Sequence, residues 1–329
     1  MDTKGKVEIT GSYPSVERKL SGLFSLDLAL SSRGELGIPM RSILELYGYT
    51  NVGKSTLSYY LAGKTTERGT VVDCDLENAD RAYFKRTLEN SGLVGTGHLI
   101  DSIDNKKQPI PHEVMLGDMA TRFVDNEVGA CIIDSIGAVQ PIAEKEGDFG
   151  EAFMGKRAKL VAQVSRNLVN SLRNKERPSV AFVINHVHAV IGGRGHITAG
   201  GDTLKYLAAV RIFMWPEEAF TDENDNPIGF LVHGKIEKLR YGGKNREFTF
   251  YIVPDFGVHA GASAMFDCFS LGLAERGTTV KIGKKGLGYI NKDFLRYAAE
   301  GKQRKFAPFV EALEEYKMGF PTGDFDDSE

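Results

Sequence analysis

The segment SILELYGYTNVGKSTLSYYLAGKTTERG, residues 42–69, decides the architecture. SILELYG (42–48) reads as a strand, and KSTLSYYLAGKTTERG (54–69) reads as a helix that stops at Gly69. Between them GYTNVGKST (48–56) fits the pattern GxxxxGK[ST], in the strand–loop–helix setting that this pattern needs in order to work. Glycines let the backbone N–H groups of such a loop wrap phosphate oxygens, and the helix N-terminus adds partial positive charge. The candidate ligands of a nucleotide are therefore Gly48, Tyr49, Thr50, Asn51, Val52, Gly53, Lys54, Ser55 and Thr56. Lys54 has the reach for the β and γ phosphates, and the Ser55 hydroxyl suits Mg²⁺. A chance glycine-rich turn is the competing reading, and the flanking elements argue against it.

Working outward, ACIIDS (130–135) is a buried strand closed by a carboxylate. Asp134 is placed to complete the Mg²⁺ site, since P-loop proteins hold the metal with a loop hydroxyl and such a strand-end aspartate. TVVDCDLEN (70–78) ends another strand with Asp73, Asp75 and Glu77. Hydrolysis needs a carboxylate near the γ-phosphate to position water, and residue pattern alone does not choose among these three. Further strands are expected at 97–103, 178–185, 210–215, 229–240 and 247–253, and helices at 79–92, 113–127 and 155–175. Apolar runs alternate with helical stretches, which predicts an α/β fold with a largely parallel central sheet covered by helices on both faces.

The 329 residues allow one large α/β domain with smaller appendages. Residues 1–20 read as a polar arm with one strand-like patch, KVEIT, suited to adding an edge strand to a neighbouring subunit. Residues 21–270 read as the core, 271–318 as a small C-terminal domain, and 319–329 as a disordered acidic tail. The net charge is −3, and four acids lie in that tail; without them 41 basic side chains face 40 acidic ones. Affinity for nucleic acid must then come from local patches. Cys74, Cys131 and Cys268 show no paired spacing and read as buried, inert thiols in a reducing cytosol. The start, MDTKGKVEIT, lacks a signal-peptide core, and no apolar run is long enough to span a membrane. A cytoplasmic protein is expected.

INHVHAVIGGRGHITAGG (184–201) is of a different kind. An apolar run ends at Asn185, and five glycines, three histidines and one arginine follow with no acid among them. Glycine costs the most backbone entropy to order, so the segment is not expected to be held by its own contacts. The pair His186 and His188 has no third partner at metal-ligand spacing, which makes a metal site a weak reading.

The chain resembles RecA-family recombinases from about Val16 to the mid-310s. The resemblance is carried, in order, by SGLFSLDLAL, LELYGYTNVGKSTL, VVDCDLENADRAYF, IIDSIGAVQPIAEKEGDFGEAFMG, FVINHVHAVIGG, TAGGDTLKYLAAVR and KIEKLR. Asn185 followed by His186 is more like the phage UvsX-type branch than the bacterial one. The resemblance implies a RecA-like P-loop ATPase core with ATP and Mg²⁺ as cofactors. It also implies a helical homo-oligomer on single-stranded DNA, with ATP between subunits. Asp75 falls where the family keeps a water-activating glutamate, and aspartate is one methylene shorter; either hydrolysis is slow or Glu77 takes over. Asp80 and Tyr83 match adenine contacts, the tyrosine by stacking. Lys238 and Arg240 match a pair that reaches a neighbour's γ-phosphate, against the plainer reading of a solvated strand face. His186 matches a γ-phosphate sensor at the root of a mobile loop, against the plainer reading of a core histidine.

On this resemblance two segments are DNA-binding loops. EGDFGEAFMG (146–155) and its continuation supply Phe153, Met154, Gly155 and Arg157. The second loop supplies His188, Ile191, Gly192, Arg194, His196, Thr198, Gly200 and Gly201. Phosphates suit the backbone N–H and basic groups of these loops, and base faces suit their apolar groups. KIGKKG (281–286) reads as a duplex-capturing surface or a solvated lysine turn. The implied partners are single-stranded DNA, double-stranded DNA during pairing, further copies of the chain, and a single-strand-binding protein or mediator. Two other readings compete with a strand-exchange recombinase: a RecA-fold ring helicase, and an ATP-gated relative without turnover that loads a partner.

Overall fold

A computed structural model describes residues 16–32, 34–77, 80–142, 154–189, 196–199, 201–240, 242, 246–275, 279–282, 285–286 and 291–318. The first half of the chain runs β1 (Arg18–Lys19), α1 (Phe24–Ala29), β2 (Ile38–Pro39), β3 (Ser42–Gly48), α2 (Lys54–Thr66), β4 (Arg68–Asp75), α3 (Arg81–Ser91), β5 (Val94–Leu99), α4 (His112–Phe123) and β6 (Val128–Asp134). The second half continues with α5 (Met154–Asn174), β7 (Val180–Ala189), β8 (His196–Thr198), α6 (Asp202–Leu207), β9 (Val210–Thr221), β10 (Pro227–Leu239), β11 (Arg246–Val253), β12 (Gly257–Val258) and α7 (Ala260–Ser270). Three short strands, β13 (Ala274–Glu275), β14 (Lys281–Ile282) and β15 (Lys285–Gly286), precede α8 (Asn291–Ala299) and α9 (Ala307–Met318). The expected KVEIT strand and the acidic tail lie outside the described residues.

One 10-stranded sheet organises the molecule, in the order β12-β11-β10-β9-β3-β7-β6-β4-β5, with β8 paired to β7 off this path. β9, β3, β7, β6, β4 and β5 run parallel, and β10, β11 and β12 add an antiparallel wing. The central strands β3 and β6 are buried on both faces, because helices cover both. Leu44, Ile132 and Phe182 face α2 and α1, while their sequence neighbours Ile43, Ile133 and Val183 face α4 and α5. A third cluster joins Phe220 and Leu231 of the wing to Met265, Phe294 and Phe309 of the last three helices. It therefore spans both sides of the boundary expected at residue 270. All three cysteines are buried and free, and burial pushes the Cys268 thiol up to about 12. No helix among the described residues is long and apolar enough to cross a membrane.

Three elements depart from their expected bounds for identifiable reasons. β5 begins at Val94 instead of 97, through two glycines that strand propensity counts against. The absence of a side chain is what the pairing needs at Gly95, where a Cβ would stand 1.8 Å from Gly69 O. α4 ends at Phe123 instead of 127, where the Lys175 ammonium takes the carbonyls of Phe123, Asp125 and Val128. β7 runs four residues past Asn185, because β8 pairs with it antiparallel from Val187↔Thr198 to Ala189↔His196. The sheet's two borders also differ. β5 exposes Val94, Gly95, Thr96 and Gly97, whereas β12 is two residues long. The turn before β12 is fastened to α3 by Arg86 and Asn90, which donate to Asp255 O and Phe256 O.

Candidate functional site

The loop between β3 and α2 lies at the carboxyl end of the central strand. Gly48 closes β3 between His186 of β7 and Met214 of β9, its partners in register. A Cβ at Gly48 would stand 2.0 Å from Met214 O, so only glycine lets β3 lie this close to β9. Lys54 opens α2, and its Nζ donates to Tyr49 O (2.6 Å) and Gly48 O (3.4 Å). The ammonium thus sits inside the loop. Burial lowers its pKa, while Asp134 and Glu77 pull it back up.

Asp134 closes β6 and is buried. Burial raises its carboxyl to about 6; the Ser55 hydroxyl bonds to it and opposes the shift, Glu77 and Asp75 add to it, and Lys54 counters them. Several oxygen donors around a partly desolvated carboxylate suit a hard divalent cation. Among the described residues no group of three or more His, Cys, Asp or Glu could hold a metal alone. Mg²⁺ commonly takes one or two protein ligands and completes its shell with phosphate and water, which fits the pair Ser55 and Asp134.

The three carboxylates at the end of β4 and in the turn after it separate clearly. Asp73 is fully buried beside the Tyr59 hydroxyl, and burial, with Asp134 and Asp75 nearby, raises its pKa well above the ordinary range. It belongs to the core and is shut off from the loop's solvent-facing side. Asp75 accepts the Glu77 N–H at 2.9 Å and so shapes the turn that follows. Glu77 is exposed on that turn; it accepts a hydrogen bond from Ser135 Oγ, and His186 Nε2 lies 3.0 Å from its Oε1. Of the two carboxylates that sequence left open, Glu77 is the one that touches His186. Ser135 went unnoticed in the sequence, although it directly follows Asp134 at the strand end.

The remaining candidates are placed as follows. Asp80 is the N-cap of α3, accepting Ala82 N at 2.8 Å. Tyr83 is half-buried, with its hydroxyl 2.7 Å from Thr56 Oγ1. Lys238 Nζ donates to Lys205 O (2.6 Å) and Tyr206 O (2.9 Å), and Arg240 donates to Tyr206 O and Leu207 O (both 3.0 Å). Both cations therefore hold the C-terminal carbonyls of α6, Lys238 half-buried and Arg240 exposed. Phe153, Ile191, Gly192, Arg194 and Gly200 lie outside the described residues. Met154 opens α5, with exposed Gly155 and half-buried Arg157 after it. His188 and His196 belong to the β7–β8 pair, Thr198 is buried, and Gly201 is the exposed N-cap of α6 at φ 74°. Both described roots of the second loop are thus fixed in secondary structure.

A family model described as the RecA N-terminal domain matches residues 5–259. Protein RecA of Oleidesulfovibrio alaskensis is 30% identical over 315 residues, covering 94% of this chain and 86% of that protein. Protein RecA of Campylobacter fetus is 33% identical over 242 residues, covering 72% of this chain and 66% of that protein. The crystal structure of the RadB recombinase superposes with a TM-score of 0.50 at 18% identity, over 72% of this chain and 97% of that chain, which bears on the fold alone.

Proposed function

The chain belongs to the RecA family, and from that premise we propose that it is an ATP-dependent recombinase that forms filaments on single-stranded DNA and promotes homologous pairing and strand exchange. One observation carries this reading: Gly48 of the phosphate loop and His186 at the root of the second loop are register partners on adjacent strands. A change at the γ-phosphate therefore has one hydrogen-bonded step to travel to reach the segment that carries His188, Arg194 and His196.

In this reading Lys54 and the loop amides bind the phosphates, and Ser55 and Asp134 hold Mg²⁺. Bound MgATP supplies the anhydride bond whose hydrolysis resets the protein. Glu77 orients water and takes its proton, with its Oε1 held by Ser135 and His186. His186 then reports the state of the γ-phosphate to β7. Asp80 and Tyr83 line the adenine side. Lys238 and Arg240 exchange the α6 carbonyls for a neighbour's γ-phosphate when subunits stack, in the manner of an arginine finger. Phe153, Met154, Gly155, Arg157, His188, Ile191, Gly192, Arg194, His196, Thr198, Gly200 and Gly201 meet the DNA. Base pairing supplies sequence recognition, and the protein handles the backbone. The placement beside the phage UvsX-type branch rests on His186 after Asn185 and on none of the relatives above.

ATP hydrolysis with and without single-stranded DNA, beside a Lys54→Ala control, tests the proposal. Stimulation by DNA that vanishes in the variant is expected. Nucleotide binding with no stimulation would overturn it.

A further inference from the structure

Asn185 is completely buried at the point where β7 leaves the core. A carboxamide has two N–H donors and one acceptor oxygen, and all are used here. Nδ2 donates to Glu45 Oε1 (3.0 Å) and to Ala199 O (2.9 Å), and Oδ1 accepts from His186 N (2.9 Å). Ala199 follows β8, so one side chain ties the two roots of the loop to each other. Glu45, also fully buried, lies in β3, the strand that delivers the phosphate loop. Its second oxygen accepts from Arg211 Nε of β9 at 2.5 Å. The Arg211 guanidinium lies 4.5 Å over the Tyr47 ring, and the Tyr47 hydroxyl donates to Glu237, the residue before Lys238.

We propose that Asn185 is the positioning residue that couples β7 and β8, the two roots of the second loop, so that a shift of His186 on nucleotide binding is transmitted to Ala199 and the start of α6. The inference rests on the functional reading above for the identity of the loop's ligand. The side-chain chemistry is specific to asparagine. Aspartate has no donors and would face buried Glu45 with a second charge, and serine offers a single donor. The network has no slack, because every polar atom of the carboxamide is spent; displacing His186 N without moving Asn185 would break a buried hydrogen bond. The shared carboxylate of Glu45 extends the same link to the strand pair that carries Lys238.

Hydrogen exchange of the full chain with and without ATPγS and Mg²⁺, in wild type and Asn185→Ala, tests this without DNA. In wild type, nucleotide is expected to protect peptides covering 183–189 and 196–204 together. In Asn185→Ala the first is expected to stay protected and the second to lose its response, with binding of a fluorescent ATP analogue retained. Protection of 196–204 that persists in the variant overturns the proposal. Should Asn185→Ala fail to fold, Asn185→Ser gives the same readout. Anisotropy of a labelled oligonucleotide is the second measurement. ATPγS over ADP should tighten wild-type binding by about 5- to 150-fold, and the ratio should fall towards one in the variant. Wild-type binding indifferent to nucleotide would sink the recombinase reading, while the exchange data would still decide on Asn185.

Discussion

Replacing Glu77 by glutamine should stop turnover while leaving ATP bound, and replacing Asp75 by asparagine should do much less. Glu77 and glutamine have the same length, so the contacts with Ser135 and His186 can re-form. What is lost is the basic oxygen. General-base catalysis contributes about 10²- to 10⁴-fold in rate, and a fall in kcat of about 10²- to 10³-fold corresponds to about 2.7–4.1 kcal/mol of barrier. Asp75 instead uses an oxygen to accept the Glu77 N–H at 2.9 Å. Asparagine can accept the same hydrogen, and trading a charged acceptor for a neutral one costs about 1 kcal/mol, or about fivefold in rate. The assay is steady-state phosphate release at saturating ATP and single-stranded DNA, beside binding of a fluorescent ATP analogue to each variant. The reasoning is refuted by the reverse order, with Asp75→Asn inactive and Glu77→Gln turning over at a near wild-type rate. That outcome would mean that Asp75 activates water directly and that the Glu77–His186 contact is incidental.

Two further expectations concern stability. Asp267 is buried beneath α1 and accepts Ser25 N at 3.1 Å; burial raises its carboxyl to about 7, and the bonds from Ser25 oppose the shift. A raised carboxyl holds its proton more tightly in the folded state, so stability falls as pH rises from about 4 to about 7. Asp267→Asn should relieve at most about 4 kcal/mol at pH 8 and under about 2 kcal/mol at pH 5; urea melts at both values, with an equal or inverted gain, would refute the sign. Lys175→Met should cost about 3 kcal/mol, because Phe123 O loses the charged donor at 2.8 Å while Asp125 O and Val128 O keep donors from Val128 N and Ser179. Burial lowers the Lys175 pKa to about 8, so the donor is still charged at pH 7. A denaturation midpoint unchanged at that pH would show that the ammonium is dispensable.

The sequence made some of this legible and hid the rest for physical reasons. β3 falls on its expected bounds, Ser42–Gly48, because apolar runs, glycine and the GxxxxGK[ST] spacing agree on one local conformation. That Lys54, Ser55 and Asp134 would lie near one another was readable for the same cause: each sits at a strand or helix end, where position along the chain fixes position in space. The approach of Glu77 to His186 was not, since it depends on a turn shaped by Asp75 and on β4 and β7 flanking β6 in the fold. Nor was the grip of Lys238 and Arg240 on α6, which joins residues more than 30 positions apart. HVHA was read as the start of a shapeless segment because glycine content dominated. Its order comes from pairing with β8, a non-local term that composition does not carry.

If copies of this chain form the proposed filament, the unequal borders of the sheet have a consequence for how they associate. Among the described residues no strand pairs with the outer side of β5, while β12 is short and buttressed by α3. Two identical open borders could zip together about a twofold axis and stop growing. A single open border matched by a strand from elsewhere in the chain leaves a fresh acceptor on every new member, so each addition reproduces the condition for the next. Growth of that kind has a direction, with chemically distinct leading and trailing ends, and capping the exposed backbone of residues 94–97 at one terminus would arrest it there alone.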